Sequence, residues 1–177
     1  MKASTRIVAA AFLVFACAAE AAQNVYGTTD AQICYDSATY GPRPQNIDVC
    51  TAAIKKSELT RTDLAATYSN RGILRVASGD LDEALEDQNK AISLNPTARA
   101  YVNRANIHYR RKNYQDALAD YGQAIALSEG TFATVFYNRA LTHRAIGDVG
   151  AAKADIEKAI ALAPENPAYR AMLTMLQ

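Results

Sequence analysis

Apolar and polar positions follow a helical period along most of this chain. Tyr68 and Gly72 lie one turn apart on one face of a predicted helix. A second stripe of apolar residues runs from Leu81 to Ile92. Gly79 stands between the two stripes, and a glycine there is typical of a helix end. The pattern therefore predicts a helix, a tight turn and a second helix.

The same pattern returns about every 34 residues, which is the signature of a repeat protein. Each copy opens with an aromatic residue, an asparagine, an arginine and a small residue. The three openings are Tyr68-Ser69-Asn70-Arg71-Gly72, Tyr101-Val102-Asn103-Arg104-Ala105 and Phe136-Tyr137-Asn138-Arg139-Ala140. Each copy also repeats its second half, with an alanine, an aspartate and an Ala-Ile pair at matching places. One helix pair cannot bury its own apolar face, so such units pack side by side.

These residues resemble the tetratricopeptide repeat family, whose pattern combines an aromatic residue, small residues at the helix crossing, a turn glycine and a closing proline. The resemblance implies an all-α fold, an α-solenoid of tandem helix-turn-helix repeats with a C-terminal capping helix. We expect a degenerate N-terminal helical pair over residues 22–63 and a repeat domain over 64–177. The expected boundaries within that domain are 65–96, 98–129 and 133–164 for the three repeats and 166–177 for the capping helix.

The arginine of each copy departs from the leucine that the family usually has beside the small residue. An aspartate follows each arginine at the same interval, so Arg71 would face Asp87. We predict that such pairs bridge two helices, within a repeat or between repeats. The alternative is two unrelated solvated charges in each copy.

The first residues have the pattern of a secretory signal peptide at 1–21. Lys2 and Arg6 precede an apolar run, and Ala19-Glu20-Ala21 is a small-x-small cleavage pattern. The run is shorter than the roughly 20 residues that a bilayer crossing needs, so a retained anchor is the weaker alternative. Lipidation at Cys17 is another alternative. We expect an exported protein, most simply a periplasmic one, with no integral membrane segment after signal removal.

Removal of the signal leaves Cys34 and Cys50 as an even pair in an oxidising compartment, which predicts a disulfide. Aligned with the later repeats, the two cysteines occupy facing helices of the degenerate leading pair. Two buried free thiols are the alternative, and a zinc site would need more ligands than the nearby chain offers.

The resemblance also implies a concave groove, lined by the first helix of each repeat, that binds a peptide or helix of a partner protein. An asparagine in this register binds the ligand main chain in some members of the family, because an amide both donates and accepts. The alternative is that these asparagines are only typical of the family. The predicted peptide-binding residues are Asn70, Asn103, Asn138, Asn106, Tyr109, Arg110, Tyr137 and Arg144.

The two-carboxylate clamp with which some members of the family bind chaperone tails is absent. That clamp needs Lys, Asn, Asn, Lys and Arg along successive first helices. The corresponding residues of this chain are Ser69, Ile73, Asn103, Thr134 and Asn138.

Composition and charge narrow the remaining possibilities. The chain has 177 residues, and 50% of them are hydrophobic, which excludes a disordered chain. Its net charge is +1, which excludes nucleic-acid binding driven by a strongly basic surface. His108 and His143 match each other across repeats, where a structural role is favoured over a catalytic one. No catalytic motif, metal site or cofactor site is predicted. We therefore predict a non-enzymatic scaffold or adaptor of the bacterial cell envelope.

Two other readings of function remain open at the level of sequence. One is a recruiting or regulatory subunit of an envelope enzyme, and the other is a lipid-anchored assembly factor of the outer membrane. Self-association through the open repeat ends is a further alternative.

Overall fold

The computed structural model describes residues 29–56 and 58–176, and every regular element within them is helical. The predicted signal peptide and Cys17 lie outside the described residues. A single 3-10 turn at Pro44–Asn46 separates the first two α-helices. The α-helices are α1 (Thr29–Thr39), α2 (Ile47–Lys56), α3 (Arg61–Ser78), α4 (Leu81–Leu94), α5 (Ala98–Arg110), α6 (Tyr114–Leu127), α7 (Ala133–Ala145), α8 (Val149–Leu162) and α9 (Pro167–Met175). The all-α class that the sequence predicts is confirmed.

Local sequence explains where the helices begin and end, as the α3–α4 pair shows. The Thr60 hydroxyl accepts a hydrogen bond from the Asp63 amide at 3.1 Å and caps the start of α3. Gly79 ends α3 with φ +95°, a left-handed conformation that favours glycine. The Asp80 amide then donates to the Arg75 carbonyl at 2.9 Å. This tight turn reverses the chain, so α4 runs antiparallel to α3.

Small residues allow the two helices of a pair to approach closely. A Cβ atom at Gly72 would lie 2.6 Å from Nε2 of Gln88 and 3.3 Å from the carbonyl oxygen of Ala84. A side chain at this place would therefore push α3 away from α4. The other pairs have buried alanines at the matching positions, namely Ala105, Ala117, Ala140 and Ala152.

The chain divides into two compact units, and each is described by itself. Unit 1 ends at Asn95 and contains α1 to α4. Its Cys34 and Cys50 form a disulfide with an S–S distance of 2.09 Å, which joins α1 to α2. Ala31 of α1 packs in a small apolar core with residues of α2 and α3.

Unit 2 begins at Pro96 and contains two helix pairs, α5–α6 and α7–α8, followed by α9. Its largest fully buried side chains include Tyr121, Ile107 and Ile156. Tyr169 and Met172 of α9 are buried as well, so this last helix covers apolar surface of its own unit. No helix in the described residues has the length and apolarity that a bilayer crossing requires.

Candidate functional site

The asparagines that recur at the openings of the three repeats are buried. Asn70 lies on α3 of unit 1 and is 0% exposed, while Asn103 of α5 and Asn138 of α7 are 7% and 1% exposed. A ligand main chain would have little of these side chains to contact in this conformation. Their role in peptide binding remains a prediction.

Asn138 and Asn106 take part in a hydrogen-bonded link between helices of unit 2. The Oδ1 atom of Asn106 accepts from the Tyr121 hydroxyl at 2.5 Å and from Nδ2 of Asn138 at 3.1 Å. The link joins α5, α6 and α7 through polar groups that are largely buried. These amides hold the helices of unit 2 together, a role that the repeat pattern alone did not indicate.

Three other predicted residues of unit 2 lie close to one another on its surface. Tyr109, Tyr137 and Arg144 interact electrostatically, and each is half-buried. The rings of Tyr109 and Tyr114 lie 5.7 Å apart, and those of Tyr137 and Tyr169 lie 5.0 Å apart. We call the group of Tyr109, Tyr114, Tyr137, Arg144 and Tyr169 the Tyr-Arg cluster.

The electrostatics of the Tyr-Arg cluster keep the phenols of Tyr109 and Tyr137 protonated. Burial raises the pKa of Tyr109 and that of Tyr137, and the nearby charge of Arg144 only partly opposes this. Both hydroxyl groups are therefore hydrogen-bond donors at neutral pH. Burial also lowers the pKa of Arg110, at the end of α5, although an arginine remains charged under all ordinary conditions.

Sequence reasoning missed two members of the Tyr-Arg cluster. Tyr114 begins α6, beyond the turn after Tyr109, and Tyr169 belongs to α9, the helix at the place of the predicted capping helix. The position of Tyr114 directly after a tight turn could have indicated its place in the cluster, because that turn brings the chain back beside the end of α5. Tyr169 is far along the chain from Tyr137, so only packing of α9 reveals the contact.

The recurrent arginines and aspartates form bidentate ion pairs within each repeat, which confirms the predicted contact. In unit 1, Nε and Nη2 of Arg71 donate to Asp87 at 3.0 and 2.7 Å. In unit 2, Arg104 donates to Asp120 at 2.8 and 2.7 Å, and the hydrogen bond raises the pKa of Arg104. Arg139 and Asp155, also in unit 2, repeat this geometry, with both distances 2.7 Å.

Each of these arginines also lies over the aromatic residue that opens its repeat. The guanidinium carbon is 5.4 Å from the ring centroids of Tyr68 and Tyr101 in the first two copies. It is 5.7 Å from that of Phe136 in the third. The cation–π contact and the ion pair together hold each arginine between an aromatic ring of its own helix and a carboxylate of the paired helix. This recurrent motif therefore has a structural role.

The two histidines lie beside the same aspartates. Nε2 of His108 is 3.8 Å from Asp120, and Nε2 of His143 is 3.8 Å from Asp155. Their Nδ1 atoms are buried and make no hydrogen bond. Within residues 29–56 and 58–176, no group of three or more His, Cys, Asp or Glu side chains is placed to hold a metal ion. The structural role that the sequence favours for the histidines stays a prediction.

Comparison with known proteins identifies the family. Residues 63–130 and residues 133–166 each match the tetratricopeptide repeat, and together they make up more than half of the chain. The chain therefore belongs to the tetratricopeptide repeat family. Among curated proteins it is 36% identical over 110 residues to tetratricopeptide repeat protein 36 of Bos taurus, which covers 60% of this chain and 57% of that protein. The chain spans 15% of the DnaJ homolog subfamily C member 7 homolog of Dictyostelium discoideum and 11% of tetratricopeptide repeat protein 13 of Homo sapiens.

Solved structures show the same architecture. The first tetratricopeptide domain of Spaghetti (RPAP3), bound to the HSP90 peptide SRMEEVD, has a TM-score of 0.61 and 25% identity, covering 63% of this chain and 89% of that one. The structure of MamA has a TM-score of 0.70 and 20% identity, covering 86% of this chain and 84% of that one. The second likeness shows the fold alone.

Proposed function

We propose that this chain is a non-enzymatic interaction module that binds a peptide segment of a partner protein on the surface of unit 2. The observation that carries the proposal is the Tyr-Arg cluster, in which the half-buried Tyr109, Tyr137 and Arg144 interact electrostatically and the two tyrosine rings pack against further rings. Tyrosine and arginine are the residue types that contribute most often to binding energy at protein interfaces. Peptide binding by the similar RPAP3 domain supports this reading.

A random peptide library displayed on phage tests the proposal. The oxidised protein without residues 1–21 is the target, and enriched peptides are synthesised with a fluorescent label. We expect the Tyr109→Ala variant to weaken binding at least tenfold, because a truncated hot-spot tyrosine typically loses more than 1.4 kcal/mol. Tyr40→Ala is the matched control, because Tyr40 is 71% exposed and belongs to unit 1. Failure to enrich any peptide, or equal binding by both variants, would reject the proposed site.

We also propose that the chain is exported to the bacterial cell envelope. The signal-like residues 1–21 support this, and so does the Cys34–Cys50 disulfide, because disulfides persist mainly in oxidising compartments. Intact mass after expression with the native leader tests the proposal. Loss of the mass of the leader, together with recovery in the periplasmic fraction, is the expected result. A full-length cytosolic product would contradict it, and added acyl mass on a chain beginning at Cys17 would indicate lipid anchoring instead.

A further inference from the structure

Asn106 is a polar residue at a place where the other two repeats have an apolar one. Its counterparts are Ile73 in the first repeat and Leu141 in the third, and both are buried. The helix pairs of this chain therefore form with an aliphatic side chain at this position. A polar side chain packed between helices adds to stability only when its hydrogen bonds compensate for the water it loses. Formation of the repeat alone does not explain Asn106.

The hydrogen bonds of Asn106 reach two other helices of unit 2. Its Oδ1 atom, on α5, accepts from the Tyr121 hydroxyl of α6 and from Nδ2 of Asn138 of α7. Both donors belong to side chains that are only 1% exposed. We call these three residues the three-helix link. A buried polar network whose members are bonded in this way fixes a single arrangement of the helices that carry it.

The three-helix link lies next to two tyrosines of the proposed site. Tyr109 follows Asn106 by three residues and so lies on the same face of α5. Tyr137 directly precedes Asn138 on α7. The phenols of the two tyrosines interact electrostatically although they belong to different helices. The bond between Asn106 and Asn138 therefore sets how far apart α5 and α7 hold the two rings.

We infer that Asn106 is a positioning residue of the peptide site, which through the three-helix link holds Tyr109 and Tyr137 at the spacing that a bound peptide requires. The inference rests on the proposed function and adds the element of unit 2 that keeps the site ready for binding. Binding costs less free energy when the contacting side chains are already ordered. Loosening the link should therefore lower the affinity for a peptide, even where the altered side chain is too buried to touch it.

Tyr121→Phe tests the inference at a residue that a ligand does not reach. The substitution removes only the hydroxyl donor and keeps the buried ring, so an effect on binding must pass through Asn106. We expect the peptides selected from the library to bind about fivefold more weakly, the equivalent of one ordinary hydrogen bond. Thr142→Val is the matched control, because it also removes a buried hydroxyl from unit 2, whose bond to the Asn138 carbonyl lies within α7. Equal losses of affinity in the two variants would overturn the inference, because binding would then follow general stability.

Two substitutions of Asn106 separate positioning from direct contact with the peptide. Asn106→Leu copies Leu141 of the third repeat and loses both hydrogen bonds, so the affinity should fall at least about tenfold. Asn106→Asp keeps an oxygen that accepts from both donors but loses the amide N–H groups. It should recover most of the affinity that Asn106→Leu loses. Equal losses for the two variants would show that the amide itself contacts the peptide and would overturn the positioning role.

Fluorine NMR of the protein labelled with 3-fluorotyrosine provides a readout that needs no ligand. The signals of the two tyrosines are assigned with the Tyr109→Phe and Tyr137→Phe variants. Tyr121→Phe should move both signals, and Thr142→Val should leave them in place. Circular dichroism verifies that the variants have equal helicity. Unchanged signals in Tyr121→Phe would overturn the inference.

The outcomes separate the inference from the proposed function. Peptides that bind the wild type, Tyr121→Phe and Asn106→Leu equally well would overturn the inference and leave the proposed function standing. Failure of every peptide to bind would reject the proposed function. The fluorine signals would then decide by themselves whether the three-helix link orders the two rings.

Discussion

The α3–α4 pair of unit 1 and the two helix pairs of unit 2 differ in the side chains that lie beside a buried aspartate. Each helix pair buries one aspartate of its second helix beside an arginine of its first helix. In unit 1 a second arginine completes the arrangement, since Nη1 of Arg75 lies 2.8 Å from Asp87. In unit 2 histidines take that position, and His108 lies 3.8 Å from Asp120.

The difference shows which part of the arrangement the fold requires. The bidentate arginine is present in all three copies, so it is the shared partner that neutralises the buried aspartate. The position one turn later varies between a permanent cation and a titratable ring. Unit 1 therefore holds its carboxylate with two fixed charges, whereas each pair of unit 2 has one fixed charge and a histidine ring beside the aspartate.

The largest expected effect comes from removing the buried carboxylate of unit 1. Asp87→Asn leaves Arg71 and Arg75 part-buried without their common partner, and breaking a buried ion pair in this way costs about 3–5 kcal/mol. Asp120→Asn in unit 2 should cost less, because only one fixed cation loses its partner. Urea unfolding followed by circular dichroism measures both. Equal losses for the two variants would show that the second cation adds nothing.

Loss of the disulfide should weaken unit 1 and leave unit 2 unchanged. The Cys34→Ala/Cys50→Ala double variant opens a loop whose closure stabilises the fold by about 3 kcal/mol on loop-closure entropy. Hydrogen exchange resolved by residue is the measurement, with faster exchange expected in α1 and α2. Equal acceleration in α7 and α8 would contradict independent stabilities of the two units.

Acid should destabilise unit 2 through His108. Burial lowers the pKa of this histidine below its ordinary value of 6.5, although Asp120 and Asp116 attract the protonated form. The unfolded chain therefore binds the proton more readily, and stability is lost as the pH falls below about 6.5. His108→Arg copies the arrangement of Arg75 and should flatten this dependence.

Urea unfolding at pH 7.5 and at pH 5.5 measures the change in the free energy of unfolding with pH. The reverse exchange, Arg75→His, is the matched variant in unit 1, because it places the titratable ring beside Asp87 instead. A wild type that gained stability in acid would contradict the sign of this prediction.

The smallest expected effect concerns the turns between paired helices. Lys112 adopts φ 63° at the place where unit 1 has Gly79 and the α7–α8 pair has Gly147. A left-handed conformation is costly for a residue with a Cβ, so Lys112→Gly should stabilise unit 2 by about 0.5–1 kcal/mol. Thermal unfolding measures the change. Gly147→Lys is the control and should lower stability, and a gain there would reject the argument from backbone conformation.

Periodicity predicted the elements of this chain better than it predicted the site. The helix pairs follow from recurrent small residues and turn residues, because these act on neighbours in the chain, as Gly72 does at the crossing of α3 and α4. Even the Arg71–Asp87 contact could be expected, since both residues recur together. Asn138 and Asn106 have their amides in a link to Tyr121, and repeat register alone could not show that bond.

The sequence by itself determined the repeat. Helix periods, turns and matched charges are local patterns that recur in every copy. The tertiary structure decided which side chains remain for a partner. Tyr114 and Tyr169 pack against Tyr109 and Tyr137 from other helices, and Tyr169 itself is buried in this packing. Such a surface depends on how helices distant in the chain pack, because burial and contact are properties of the packed unit and not of one repeat.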